Sequence, residues 1–190
     1  MSTVKGEKHF VMELYFLFCR GPLLVNLGRG KIIRSCVWKD EPRIDIREWG
    51  TPTHPTKNGV SLPLKRYLIL RDNIHRISVA LADLKKGGKV VLKEHLGRNV
   101  YAHVQTPYNG VNIRQWFKPK EDGDHLLPGK GIFLNSLEWN EFCKVDECMN
   151  DFVTELKDTV RCIDQTDHCN QLGYIACGEC NPNGEFEQYL

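Results

Sequence analysis

Arginine and tryptophan occur two positions apart at two places in the chain, as Arg47 and Trp49 and again as Arg114 and Trp116. A guanidinium can contact a phosphate group, and an indole ring can stack on the flat face of a base. Each residue type also has a structural role, since a strand arginine can pair with an acid and a strand tryptophan can pack in the core. The spacing therefore marks candidate binding residues and leaves both interpretations open.

A second set of reactive side chains lies near the end of the chain, where Cys162, Cys169, Cys177 and Cys180 occur together with His168. Zinc takes four thiolate or imidazole ligands, and a Cys-x-x-Cys pair such as Cys177 and Cys180 supplies two of them from one turn. No second close pair exists, because Cys162 and Cys169 are seven residues apart. We expect no other cofactor, and in this tail either a zinc site formed by the four cysteines or a reduced, partly flexible acidic segment.

Catalytic motifs are missing from the sequence. It has no glycine-rich phosphate loop, no clustered histidines and carboxylates, and no nucleophile with a base nearby in sequence. Most of the seven histidines are dispersed along the chain, among them His54, His75, His95, His103 and His125. We therefore predict that the protein is not an enzyme.

The segments that carry these residues repeat. Three segments of the first copy have similar counterparts later in the chain, in the same order and at an offset close to 70 residues. The pairs are residues 27–29 with 96–98, 43–49 with 110–116, and 58–62 with 130–134. A long amphipathic stretch follows each copy. Four landmarks in matching order indicate a duplicated structural unit.

Each copy is predicted to begin with strands and to end in a helix. Alternating and β-branched residues predict one hairpin around Asp40-Glu41-Pro42 and another around residues 107–110, whose Asn-Gly is a strong turn signal. The first helix should begin near Leu62-Pro63, end at Gly87-Gly88 and bury Leu64, Tyr67, Ile74, Ile77, Leu81 and Leu84. The second should begin at Asn135 with a capping box to Glu138 and bury Trp139, Phe142, Met149, Phe152, Val153 and Leu156.

The predicted fold class is α+β, with two tandem units of four antiparallel strands and a C-terminal helix, followed by a Cys-containing acidic tail. The predicted boundaries are an extension at 1–21, a first unit at 22–88, a second unit at 89–157 and the tail at 158–190. Units of about 65 residues bury little of their surface alone. We therefore expect them to pair as an intramolecular pseudo-dimer, with further self-association left open.

Charge is distributed unevenly along the chain, although its formal net value is only +2. Residues 22–88 contain 13 basic and 6 acidic side chains, residues 89–156 contain 8 and 10, and residues 157–190 contain 2 and 6. A polyanion should therefore meet the first half of the molecule.

The apolar stretch from Phe10 to Phe18 is interrupted by Glu13 and is about half as long as a membrane span requires. It is read as a buried strand or helix segment, with a weak secretory signal as the alternative, and no membrane partner is expected. Scattered cysteines in a chain with enough apolar residues for a core favour a reducing compartment.

The two copies resemble a known family, the C-terminal domain of the transcriptional coactivator positive cofactor four. The likeness rests on residues 44–49 and 58–62 in the first copy, and on residues 112–117, 128–134 and 135–139 in the second. The resemblance implies a curved four-stranded sheet with a C-terminal helix, dimers joined through their helices, and β-ribbons that hold single-stranded or melted DNA.

The resemblance also implies which residues contact DNA. In the first copy these are Arg29, Lys31, Trp38, Lys39, Arg47, Trp49 and Lys57. In the second they are Arg98, Arg114, Trp116, Phe117, Lys118 and Lys130.

Each copy departs from the family pattern. The aromatic-lysine pair ahead of the hairpin turn is Trp38-Lys39 in the first copy but Gln105-Thr106 in the second, and the lysine before the glycine is Asn58 in the first. The family's stacking tryptophan aligns with Gly50 and Phe117, unless Trp49 and Trp116 take over its role. A one-residue slip would turn those rings to the opposite face of the sheet.

Two hypotheses follow. The first is a nuclear single-stranded-DNA-binding protein that acts as a transcriptional coactivator or regulator and contacts proteins of the transcription machinery. The alternative is a protein-interaction module of that machinery that keeps the fold and has lost DNA binding.

Overall fold

The computed structural model describes residues 23–51, 53–117, 127–168 and 170–182. They form two antiparallel four-stranded sheets, each in the order of the sequence and each followed by helices. The predicted α+β class and two-unit arrangement are confirmed. The boundaries predicted at residues 88 and 157 stay predictions, and the predicted extension, with its stretch from Phe10 to Phe18, lies outside the described residues.

The first sheet consists of β1 (Leu24–Gly28), β2 (Lys31–Trp38), β3 (Glu41–Thr51) and β4 (His54–Pro63). Lys39 and Asp40 form the hairpin turn between β2 and β3, with φ angles of 51° and 61°. Positive φ at both central residues is the geometry that matches the twist of a two-residue hairpin. The turn predicted at Asp40-Glu41-Pro42 is therefore displaced, because Glu41 and Pro42 already belong to β3 and lie opposite Trp38 and Val37.

The second sheet consists of β5 (Val91–Gly97), β6 (Val100–Gln105), β7 (Gly110–Phe117) and β8 (Leu127–Asn135). The chain turns between β6 and β7 at the predicted site, and Gly110 begins β7. The pairing of Ala102 with Ile113 matches that of Ile33 with Ile46 in the first sheet. The two sheets therefore share one register.

Two helices follow the first sheet, α1 (Leu64–Asp72) and α2 (Ile74–Lys85). The sequence predicted one continuous helix, and the chain instead breaks at Asn73, whose side-chain amide donates to the Ile69 carbonyl at 2.8 Å. Asparagine competes for backbone groups in this way, which disfavours it inside a helix. Leu64, Tyr67, Ile77 and Leu81 are buried as expected, whereas Ile74 and Leu84 are only partly buried.

The second sheet leads directly into α3 (Ser136–Glu147) and then the short α4 (Met149–Phe152). The predicted capping box is present: the Asn135 side chain accepts from the Glu138 amide at 3.1 Å, and the Glu138 carboxylate accepts from the Asn135 amide at 2.8 Å. The sequence predicted one helix as far as Leu156, and the chain instead breaks at Cys148 and again after Phe152. The apolar residues predicted for that helix are all buried except Phe152, which is partly buried.

Side chains of both units fill one hydrophobic core. The Trp139 ring of α3 stacks on Phe142 with centroids 5.0 Å apart, and its indole nitrogen donates to Ser78 Oγ of α2 at 3.0 Å. The Tyr67 hydroxyl of α1 donates to Asp146 of α3. The helices of the two units thus pack together, β1 contacts α3, and β5 contacts α1, so that each unit's first strand lies against the helix of the other.

After α4 the chain forms the 3-10 turn Thr154–Lys157, and the tail then continues through two more, Cys162–Asp164 and Thr166–His168, and the short helix α5 (Gln171–Ala176). Among the helices of the described residues, none has the length and apolar character of a membrane span.

Candidate nucleic-acid interface and tail cluster

Each sheet has a face turned away from the helices, here called the outer face. In β3, Ile44 and Ile46 point into the core and are fully buried, so Arg43, Asp45 and Arg47 alternate with them on the outer face. The antiparallel register places outer-face residues of neighbouring strands directly opposite one another.

On the first outer face, arginines surround a buried carboxylate. Asp45, with 2% of its surface exposed, accepts from Arg34 Nε at 3.2 Å and from Arg47 Nη2 at 2.9 Å. Arg43 pairs with Glu41 and donates to the Ser61 hydroxyl at 3.0 Å and the Ser61 carbonyl at 2.8 Å. The guanidinium groups are held in fixed positions, and each has a carboxylate that offsets part of its charge.

Two tryptophans lie on this face in different environments. The Arg34 guanidinium sits 5.2 Å from the centroid of the half-buried Trp49 ring, a cation-π contact. Trp38, near the end of the hairpin, is 64% exposed beside the turn residue Lys39. Trp38 is therefore the ring of the first unit that a base can reach without displacing a protein group.

The second outer face replaces several of these groups by uncharged or aromatic ones. The shared register puts Asn112 at the position of Asp45, His103 at that of Arg34, and Phe133 at that of Ser61. Gly110 occupies the position that corresponds to Arg43, and a Cβ atom added at Gly110 would collide with the Phe133 ring. An aromatic ring thus covers the place that Arg43 fills in the first unit.

Lys93 of β5 is the central cation of the second outer face. Its ammonium lies 4.2 Å from the Tyr101 ring centroid and 5.5 Å from that of Trp116, and the His103 ring meets Trp116 edge to face at 6.4 Å. Partial burial and the charge of Lys93 both lower the pKa of His103. The imidazole is therefore neutral at pH 7 and available as a stacking surface.

The two outer faces differ in how far their cations are neutralised. Neither Lys93 nor Arg114 has a carboxylate within ion-pair distance among the described residues; Arg114 instead contacts Asn112 at 3.2 Å and the Gly129 carbonyl at 2.6 Å. The whole-segment charge suggested that a polyanion meets the first half. On the outer faces themselves, the cations of the second unit have fewer carboxylate partners than those of the first unit.

Other residues predicted to contact DNA lie in turns or between the units. Arg29 and Arg98 occupy equivalent turns after β1 and β5, both with positive φ. Lys57 and Lys130 are exposed and line a shared cleft between β4 and β8, together with Arg114 and Glu48. Phe117 is 48% exposed at the end of β7, and Lys118 lies outside the described residues.

Lys31 lies away from both outer faces. It is 8% exposed, and its ammonium is 2.8 Å from a carboxylate oxygen of Glu138 in the other unit. This geometry makes Lys31 an inter-unit structural residue, and we leave it out of the DNA-contact set proposed below.

Several residues that the structure places on the outer faces were not among the predicted DNA contacts, namely Arg34, Arg43, Lys93, Tyr101 and His103. Their signal was present in the alternation of each strand: Arg34 follows the buried Ile33, and Tyr101 and His103 flank the buried Ala102. Extending the period-two pattern from Arg47 and Arg114 to neighbouring strands would have found them.

The tail brings Cys162, His168, Cys177 and Cys180 together, with one ligand atom of each within 4.8 Å of all the others. The Cys162 and Cys177 sulfurs are 3.6 Å apart, and Cys162 Sγ is 3.8 Å from His168 Nε2. This cluster could hold a metal ion. It contains His168 where the predicted set had Cys169, which lies outside the described residues.

The comparisons with known proteins agree with the repeat. Residues 25–73 and 108–145 match the family model described as Transcriptional Coactivator p15 (PC4). The first segment runs from β1 to the end of α1 and the second from the β6–β7 turn into α3, so each unit contains one matched segment. No curated protein and no solved structure matched the chain. The family comprises non-enzymatic coactivators that bind single-stranded DNA.

Proposed function

We propose that this chain, in which two segments match the PC4 coactivator family, binds single-stranded DNA through its two outer faces and regulates transcription as a coactivator. One observation carries the proposal: on both faces a cation lies beside a tryptophan, with Lys39 next to the exposed Trp38 in the first unit and Lys93 at 5.5 Å from Trp116 in the second. Such a surface offers a charge for phosphate and a flat ring for a base within a few ångströms.

An unpaired strand suits these faces better than a duplex. Bases in a duplex are stacked and turned inward, whereas those of a single strand can lie on exposed rings such as Trp38, Phe117 and the partly covered Trp116. Ring stacking accepts every base, so we expect little sequence preference.

We propose that the proteins of the transcription machinery are further partners and that the protein acts in the nucleus, as is typical of the family. Melted DNA at a site of transcription supplies unpaired strands. The proposed DNA contacts are the outer-face and turn residues Arg29, Arg34, Trp38, Lys39, Arg43, Arg47, Trp49, Lys57, Lys93, Arg98, Tyr101, Arg114, Trp116, Phe117 and Lys130.

The alternative, a protein-interaction module that keeps the fold without DNA binding, has one observation in its favour. Asp45 pairs with two arginines of the first outer face, which lowers the charge available for phosphate. If this alternative is right, Trp38→Ala and Lys93→Ala together will leave oligonucleotide binding unchanged.

For the tail we propose that Cys162, His168, Cys177 and Cys180 bind zinc. Zinc–sulfur bonds of about 2.3 Å in a tetrahedron place neighbouring sulfurs about 3.8 Å apart, close to the 3.6 Å between Cys162 and Cys177. The other ring nitrogen of His168 contacts a carboxylate oxygen of Asp167 at 2.8 Å, the arrangement that orients a metal-bound imidazole.

Fluorescence anisotropy with a labelled oligonucleotide of about 20 bases tests the DNA proposal. The variants are Lys93→Ala and Trp116→Ala, and the matched control is Lys85→Ala at the end of α2, which removes an equal charge away from both faces. We expect affinity to fall about 5-fold to 150-fold for each face variant, since stacking and phosphate contacts contribute roughly 1–3 kcal/mol each. Equal affinity for all three variants would reject the second face as a binding surface.

A further inference from the structure

The two units contact each other through equivalent positions. Lys31 follows Gly28 by three residues and pairs with it across the β1–β2 turn, and Val100 has the same relation to Gly97 in the second unit. Arg66 and Glu138 are each the third residue of the helix that follows their sheet.

These positions meet across the units in both directions. A Cβ atom on Gly28 would lie 3.5 Å from Glu138 Cγ, and one on Gly97 would lie 3.0 Å from Arg66 Cγ. The structure therefore contains two copies of one contact, each made by the turn of one unit and the helix of the other.

Only one copy is completed by the units themselves. In the first, the Lys31 ammonium pairs with Glu138, and the two side chains are 11% and 2% exposed. In the second, the lysine is replaced by the buried Val100 and the glutamate by Arg66, whose side chain is 13% exposed. A cation is thus largely buried at the second contact without an acid from the opposite turn.

Glu179 of the tail supplies the missing acid. Its carboxylate accepts two hydrogen bonds from Arg66, from Nε and from Nη2, the latter at 2.8 Å. Its backbone carbonyl accepts from the Arg98 amide at 2.5 Å, in the turn that meets Arg66. Glu179 therefore contacts the helix of one unit and the turn of the other.

Glu179 lies in the Cys-x-x-Cys turn between Cys177 and Cys180, two members of the Cys/His cluster of the tail. Next to the first cysteine, Cys162, Arg161 pairs with Asp72 at the end of α1. The folded tail is thus joined to the first unit on both sides of the cluster.

We propose that Cys162, His168, Cys177 and Cys180 form a structural zinc site whose role is to hold Glu179 against Arg66 and Arg98, so that the tail closes the second inter-unit contact. The role rests on the zinc site proposed above, and among the DNA contacts proposed above it involves Arg98 alone. Without zinc the turn loses its fixed geometry, Glu179 leaves Arg66, and the units are held by the Lys31–Glu138 contact and the core alone.

A double-mutant cycle on the full chain tests this role. Arg66→Ala, Glu179→Gln and the double variant are unfolded thermally, first zinc-loaded and then after chelation under reducing conditions, and zinc is quantified with a colorimetric chelator. Glu155→Gln, at an exposed acid shortly before the tail, is the matched control.

In the zinc-loaded protein, each single variant should lower the Tm by a few degrees, and the double variant should lose no more than the larger single loss. After chelation the wild type and all three variants should unfold at one lower Tm, while Glu155→Gln behaves as wild type throughout. Additive losses of Tm with zinc bound, or a coupling between Arg66 and Glu179 that survives chelation, would overturn the proposed role of the zinc site. A wild-type chain that binds no zinc would reject the zinc site itself, and oligonucleotide affinity measured on the same samples shows whether the DNA proposal stands.

Discussion

Arg47 lies across Gly59, the residue opposite it in β4, and donates from Nη1 to the Thr56 carbonyl at 2.9 Å. A Cβ atom at Gly59 would be 2.7 Å from the Ile46 carbonyl oxygen and 2.9 Å from Arg47 Cβ. Arg114 and Gly131 repeat this relationship in the second unit. The arginine and glycine that recur in both copies are therefore partners in one packing arrangement, and part of each guanidinium is committed to the protein's own backbone.

Replacing Gly59 or Gly131 by alanine should destabilise the protein by about 1–3 kcal/mol, because the added methyl group has no room beside the facing strand. Chemical denaturation measures the loss. Gly50→Ala is the control in the same sheet, since the nearest atom to its Cβ would be 3.8 Å away. Equal stability of Gly59→Ala and Gly50→Ala would contradict the packing role of Gly59.

Exchanging the central side chains of the two outer faces should change DNA affinity in opposite directions. Asp45→Asn removes the carboxylate that pairs with Arg34 and Arg47, so single-strand affinity should rise several-fold. Asn112→Asp places a carboxylate beside Arg114, so affinity should fall by a similar factor. Anisotropy titrations at one fixed salt concentration measure both.

Asp45→Asn should also cost stability of about 1–3 kcal/mol, because it leaves partly buried arginines without their acid. An affinity that is unchanged in both variants would mean that outer-face charge does not contribute to binding.

The ion pair between Lys31 and Glu138 should contribute to the stability of the fold and not to DNA affinity. Lys31→Met leaves the buried Glu138 carboxylate without its cation and should destabilise the protein by about 3–5 kcal/mol. Its single-strand affinity, measured at a temperature where the variant is folded, should equal that of the wild type. A marked loss of affinity with normal stability would instead place Lys31 in the DNA interface.

The pKa of His103 should respond to Lys93. Partial burial and the Lys93 charge lower the pKa of His103 below its usual 6.5, so Lys93→Ala should raise it. The imidazole C–H resonances in an NMR titration report this directly. Because the folded-state pKa is the lower one, the unfolded chain binds the proton first as the pH falls. The contribution of His103 to stability is therefore complete above pH 6.5. It is lost as the pH falls through the folded-state pKa of His103. If the pKa of His103 were unchanged in Lys93→Ala, His103 and Lys93 would not interact in solution as the structure indicates.

The sequence predicted the repeat, the four-strand units and the capping box at Asn135, because each depends on local patterns: matched spacing, alternation and a side chain that bonds to its own helix. It placed the first hairpin turn one residue too far along, since positive φ at Lys39 carries no signal as strong as a glycine. It also joined α1 and α2 across Asn73, where the helix breaks.

Residue roles were harder to predict because they depend on contacts between distant segments. Lys31 looked like a surface cation until Glu138, more than 100 residues later, was seen beside it. His168 enters the tail cluster in the same way, through the folding of the tail. Charge totals also say little about single side chains, since no acid among the described residues of the second half lies within ion-pair distance of Lys93 or Arg114.

The most direct test of the account compares binding of a single-stranded oligonucleotide of about 20 bases with binding of the corresponding duplex across a salt series. We predict micromolar or tighter affinity for the single strand, weaker binding to the duplex, and an affinity for the single strand that falls steeply as salt rises, because phosphate contacts release counterions. Equal, weak binding to both forms with little dependence on salt would contradict the proposal that the outer faces bind unpaired DNA.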